Sequence, residues 1–236
     1  MHNRFFTLAL AQRLLCHVAE RGSLCEVVAS SSTPCRAQLD PCGWHAHACD
    51  RTTIQARHKR WVELWTQAAR EAGTSADDEQ LASEILAGKE AVAGKEAAKV
   101  RSDVRIDSLD APWPTHIDVR IENTAQRAGM HWKVQKRGKR VANAEQTKTK
   151  EWALPSDTRA RLVPVTAESQ GRWGPKAIAL LRSLASRADL EKPGSFAPFM
   201  RRWRRRLAVA LQLSNCRAVM HACGGGWCTR PPPAEV

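Results

Sequence analysis

The chain has no apolar run approaching the roughly 20 residues that cross a bilayer, so no membrane-spanning segment is expected. Its start, FFTLALAQRLLC, is apolar, but Gln12 and Arg13 interrupt it and no small-residue cleavage site follows. That stretch reads as an amphipathic helix over residues 1–22, with a secretory signal as the alternative. A polymerase signature is missing too: Asp77-Asp78 sits in a polar stretch, not between apolar residues. Acids are scarce beside bases, with 24 Asp and Glu against 37 Lys and Arg, for a formal +13 and a pI near 9.9. A field of that sign attracts polyanions, which puts nucleic acid ahead of a membrane surface as the expected partner. Hydrophobic residues at 43% suffice to bury a core, so wholesale disorder is not expected.

Cysteine is plentiful, eight in all, with five of them bunched beside histidines between Cys16 and Cys49. Without a secretory signal, that pattern reads as metal ligation rather than disulfides. Structural zinc wants four Cys or His ligands with short spacings inside each pair. His45 and Cys49, spaced H-x3-C, make one pair. Cys35 is the preferred third ligand and Cys25 the fourth by elimination, while Cys42 and His47 could replace either. Four protein ligands leave no open position, so such a zinc would be structural.

Residues 23–53 therefore read as a knuckle. In the following IQARHKRWVELWTQAAREAG, Ile54, Trp61, Trp65, Ala68, Ala69 and Ala72 recur at helical spacing, and Gly73 is a C-cap. Residues 74–100 are low in complexity, with AGKEA at 87–91 and again at 93–97, and read as a solvated helix or linker. SDVRID and HIDVRI alternate apolar and charged residues as half-buried strands do, with DAPWP as the turn between them. Residues 127–140 are basic and 141–152 helical. RLVPVTAES reads as a short strand, and Pro164 suits an edge or a bulge. Gly174-Pro175 opens a helix with Ala177, Leu180, Leu181, Leu184 and Ala188 on its apolar face. A basic helix follows within 191–222, and residues 223–236 read as a disordered tail. The fold class expected is α+β, a small mixed sheet flanked by helices.

Magnesium takes one or two carboxylates from a protein and completes its shell with phosphate oxygens and water. Asp103 and Asp118, on neighbouring strands with the same facing, could form such a pair. Phosphate contact is expected from Lys136, Arg137, Lys139 and Arg140, and from Arg201, Arg202, Arg204, Arg205 and Arg206 around Trp203. Arg57 could contact phosphate or buttress the knuckle against the helix. His58 beside it reads as structural rather than catalytic.

The succession LDPCGWHAHAC, RH opening a helix, SDV, IDVRI, AEQTKTKEW, LVPVTAESQGRWG and LLRSLA covers roughly residues 34–213. In that order it resembles the zinc knuckle and restriction-like PD-(D/E)XK endonuclease region of site-specific non-LTR (LINE-type) retrotransposon polyproteins. The resemblance implies an endonuclease domain over residues 54–190, with a low-complexity insertion at 82–100. It makes Glu79 the early acid, Asp103 the aspartate of the PD motif and Asp118 the acid of the (D/E)XK motif. The lysine is carried by the following helix as Lys148, with Glu168 in support. Ser102 replaces the proline before Asp103, Arg120 stands where a plain (D/E)XK lysine would, and Trp152 replaces a tyrosine in a chain that has none.

What the resemblance implies is a Mg²⁺-dependent endonuclease that nicks target DNA in the nucleus, with a structural Zn²⁺. Its partners would be DNA and the element's RNA, with the reverse transcriptase absent from this chain. The alternative is a catalytically inactive, zinc-containing nucleic-acid-binding fragment.

Overall fold

In a computed structural model, the chain is described over residues 7–10, 18–19, 23–28, 34–49, 54–81, 101–107, 109, 112–123, 125–128, 131–134, 138–151 and 160–224. The elements run α1 (Trp44–Ala48), α2 (Ile54–Glu71), β1 (Ala76–Leu81), β2 (Arg101–Ile106), β3 (Thr115–Glu122), β4 (Ala125–Ala128) and β5 (His131–Val134). They continue with α3 (Lys139–Glu151), β6 (Arg161–Glu168), α4 (Pro175–Glu191) and α5 (Phe196–Ala222). Four strands form a mixed sheet in the order β1-β2-β3-β6, with β1, β2 and β3 antiparallel and β6 parallel to β3. β4 and β5 form a separate hairpin. The class is α+β, a small mixed sheet flanked by helices.

The alternation in β2 and β3 decides which face is which. Val104, Ile106, Ile117 and Val119 are buried on one face, where they meet Trp61, Trp65 and Ala68 of α2 and Leu181 and Leu184 of α4. Phe199, Trp203, Leu207 and Leu211 of α5 close the same core from behind. Three indoles pack edge-on within it: Trp61 lies 6.4 Å from Trp65 and 6.0 Å from Trp173 between ring centroids. The Trp61 indole N–H donates to the Leu207 carbonyl at 3.3 Å, so the polar end of this ring is satisfied. The other face of β3 and β6 is covered by α3 through Val141 and Ala144. β6 is an edge strand, which accommodates Pro164 at no cost to an interior ladder.

A second, smaller core joins the N-terminal region to the end of α5. Leu8, Val18, Val27, Leu39 and Ala46 pack there with Ala218, Val219 and Ala222.

Several expectations are corrected. Thr7–Leu10 is helical, but Val18 and Ala19 are not, because both backbone N–H groups donate to the Pro41 carbonyl. A single helix over 1–22 is therefore excluded. Residues 76–81, read as low-complexity linker, are an edge strand held by its ladder to β2 rather than by an apolar face. The basic stretch contains the β4–β5 hairpin. The AGKEA repeats, Lys136, Arg137, Trp152 and the tail from residue 225 lie outside the described residues.

Candidate functional site

Two sites take shape, one of sulfur and nitrogen ligands and one of carboxylates. The first is built on a short ribbon in which Leu24 bridges Gln38 and Val28 bridges Pro34. Cys25 N–H donates to the Ala37 carbonyl at 2.8 Å and Cys35 N–H to the Val27 carbonyl at 2.9 Å, which sets the two cysteines on facing arms. His45 and Cys49 come from α1 and the residue after it, one turn apart. Asp40 fixes that helix, accepting the Trp44 N–H at 3.0 Å and the His45 N–H at 2.7 Å. Gly43 enters it at φ 72°, and a Cβ there would meet Val18 Cγ2 at 2.9 Å, so glycine is needed both for the turn and for the contact.

The ligand atoms of Cys25, Cys35, His45 and Cys49 all lie within 4.8 Å of one another. Cys25 Sγ is 3.9 Å from Cys49 Sγ, and Cys35 Sγ is 3.6 Å from His45 Nε2. A tetrahedron with zinc–sulfur and zinc–nitrogen bonds of ordinary length places sulfurs about 3.8 Å apart and sulfur about 3.6 Å from nitrogen. The quartet fits a metal such as zinc, and it joins the H-x3-C pair to Cys35, the preferred third ligand, and Cys25, the fourth by elimination. Cys42 and His47, the alternatives, are outside it. His47 is buried, and that burial, with Arg57 nearby, pushes its ring down to about 3.

The second site lies across the sheet. β1 pairs Asp78 with Val104 and Gln80 with Ser102, which sets the backbone of Glu79 level with Asp103. β2 pairs Val104 with Ile117, which sets Asp103 level with Asp118 one step further on. The three acids therefore form a row across β1, β2 and β3, and residues level across a sheet share a face. The Glu79 side chain lies outside the described residues. At this row the β2–β3 ladder gives way to a side chain: Asp103 Oδ2 accepts the Val119 N–H at 2.6 Å. Asp118 is buried at 6% exposure, and Lys148 Nζ reaches its Oδ2 at 2.8 Å from α3. Arg120, in the position of a (D/E)XK lysine, pairs with Glu122 instead.

His58 joins the row from α2. Its Nε2 lies 3.2 Å from Asp103 Oδ2 and 3.0 Å from the Val119 carbonyl. Both partners are acceptors, so this nitrogen carries the proton. The hydrogen bond to Asp103 raises the ring above its ordinary value, against the burial that would lower it.

The helix that brings Lys148 is clamped at two points. Glu168 Oε1, at the end of β6, accepts the Gly138 N–H at 2.7 Å where α3 begins. Glu145, one turn before Lys148, accepts the Thr166 hydroxyl at 3.1 Å and the Lys176 N–H of α4 at 3.2 Å. Burial raises the Glu145 carboxyl. Glu168 thus holds the backbone at Gly138, immediately before α3.

No protein-family model matches the chain, and no curated protein matches it.

The basic residues fall into three groups. Lys139 is exposed at the start of α3, and Arg140 lies 3.8 Å from Glu122. Arg201, Arg202, Arg204, Arg205 and Arg206 are exposed on α5 around the buried Trp203. Arg57 is the correction. It is 4% exposed, donating to Asn215 Oδ1 at 3.0 Å and to the His47 carbonyl at 3.3 Å, and burial lowers it to about 10. Asn215 Nδ2 in turn donates to the Ser169 carbonyl. Arg57 is a strut between knuckle, α5 and the end of β6, out of reach of a phosphate.

His58, read as structural, brings its ring against Asp103 and the Val119 carbonyl. Glu145 received no assignment from sequence. The RH pair opening a helix marked His58, but only the approach of α2 to β3 supplies its partner.

Proposed function

We propose that this chain is a metal-dependent DNA endonuclease of the PD-(D/E)XK kind, derived from a non-LTR retrotransposon, with Asp103 and Asp118 at its centre. The observation that carries this reading is the level placement of the two aspartates on adjacent strands, with Lys148 Nζ 2.8 Å from Asp118. A carboxylate pair with a lysine beside it suits metal-dependent phosphodiester hydrolysis, in which carboxylates hold the metal and a cation faces the phosphate.

Asp103 and Asp118 would hold Mg²⁺, which supplies a Lewis acid and lowers the pKa of a bound water. Asp103 is held in place by the Val119 N–H and His58, so its carboxylate is oriented before substrate arrives. Lys148 neutralises charge building on the phosphate, in the manner of a preorganised cation. Glu79 assists from the next strand. The Cys/His quartet holds the knuckle, and through it the end of α5, in a fixed place.

A second reading has its own observation: each aspartate is already engaged by a protein side-chain donor, Lys148 on Asp118 and His58 on Asp103. A site satisfied from within would bind nucleic acid without cutting it. Incubating the full chain with supercoiled plasmid and Mg²⁺ separates the two. Relaxed circles that depend on Mg²⁺ support the nuclease; a retarded but uncut plasmid supports the binder.

A further inference from the structure

Beyond the acidic row, a groove runs along α5, and α2 contributes Arg60 and Leu64 to one of its two lobes. Its two lobes, of about 490 and 530 Å³, share Arg206 and Val209 and so form one path from Pro198 to Arg217. Arg60, Arg201, Arg202, Arg205, Arg206 and Arg217 line it, and no acidic side chain does among the described residues. Arg60 pairs with Glu63 and Arg202 with Glu71, whereas Arg201, Arg205 and Arg217 make no ion pair among the described residues. Arg206 stacks over Trp203 at 4.2 Å and donates to Gln67 at 3.1 Å, which holds its guanidinium at the groove wall.

The groove faces away from the carboxylates. His58 and Arg60 are two residues apart on α2, about 200° around a helix, and His58 faces Asp103. From Pro198 to Arg217, α5 rises about 28 Å. That length spans roughly eight base steps of rise along a duplex axis at about 3.4 Å each.

We propose that this groove is a second nucleic-acid site, binding the phosphate backbone of a segment other than the one presented to Asp103 and Asp118. A path lined by six arginines fits a polyanion of repeating charge better than a compact ligand. An acidic amphipathic helix is the other anionic occupant, but such a helix anchors through several apolar residues. Val209 is the one large hydrophobic the groove exposes among the described residues. The polyanion site holds whatever chemistry the acidic row performs.

The test uses the full chain and a fluorescein-labelled duplex of roughly 20 base pairs, with anisotropy measured against salt concentration in magnesium-free buffer. Each phosphate contact contributes about 0.9 to the slope of log affinity against log salt. The triple variant Arg201→Gln, Arg205→Gln, Arg217→Gln should lower that slope by about 2 to 3, while the matching Arg→Lys triple keeps it. Arg187→Gln, outside the groove, should leave the slope intact. Should the glutamine triple fail to fold, Arg205→Gln alone should lower the slope by about 0.9. A slope unchanged in a folded glutamine variant would overturn the proposal. So would a labelled glutamate-rich helix that binds the native chain and not the triple, with the duplex slope unaltered. Failure to nick plasmid with an intact arginine-dependent slope would count against the nuclease alone.

Discussion

Stripping metal from the Cys25–Cys35–His45–Cys49 quartet should lower the melting temperature by about 8–16 °C. The quartet sits inside a small core in which Val27, Leu39 and Ala46 meet Ala218 and Val219, with few other apolar contacts to hold the ribbon. Three thiols and an imidazole gathered within 4.8 Å are a preformed ligand set, so binding favours the folded state directly. At free metal a thousandfold above Kd, the linkage amounts to about 4.1 kcal/mol. For a chain of this size each kcal/mol moves the melting temperature by about 2–4 °C, which yields the range stated. The assay is zinc content of the purified chain, followed by thermal melts with and without chelator. Cys35→Ser, at the half-exposed corner of the quartet, should melt like the chelated protein and take up less cobalt. A folded, metal-free chain whose melting temperature ignores both zinc and chelator would refute the reasoning.

Lys148→Met should reduce Mg²⁺-dependent nicking by about 10²–10³, as removal of a preorganised charge stabiliser does, and single-turnover kinetics on a labelled duplex would measure it. Nicking within a few-fold of the native rate would remove Lys148 from the chemistry. Trp61→Ala deletes a fully buried indole that contacts two others, and should cost about 3–5 kcal/mol in urea unfolding. A loss below about 1 kcal/mol would contradict the core described. Arg57→Ala orphans Asn215 and the His47 carbonyl and should cost about 2–4 kcal/mol while leaving the salt slope of duplex binding unchanged. A smaller slope at full stability would return Arg57 to the phosphate contacts.

What could be read from the chain and what could not divide along physical lines. β2 and β3 were legible because each buries one face, so alternation is written into SDVRI and HIDVR. α2 and α4 were legible for the same reason at helical period, with Gly73 and Gly174-Pro175 marking ends. The His45–Cys49 pair was legible because H-x3-C is a one-turn helical spacing, and α1 is that turn, whereas Cys25 was reached only by elimination. β1 was hidden because ADDEQL lies at the sheet's edge and is held by backbone hydrogen bonds, which leave no trace in side-chain pattern. Arg57 was misplaced because a cation next to a basic helix looks solvated. Its partners, His47 and Asn215, are contributed by distant segments, 10 and 158 residues away. His58 needed the crossing of α2 over β3, and Glu145 needed the start of α4, contacts that no local spacing encodes.

The central claim is that the row through Asp103 and Asp118 cuts DNA with Mg²⁺. The direct measurement is cleavage and binding of one labelled duplex by the full chain and by Asp103→Ala, side by side, with and without Mg²⁺. The account predicts Mg²⁺-dependent nicks from the native chain and none from the variant, with the two binding the duplex equally. Equal nicking by both proteins, or tight binding by both with no nick at any Mg²⁺ concentration, would contradict it.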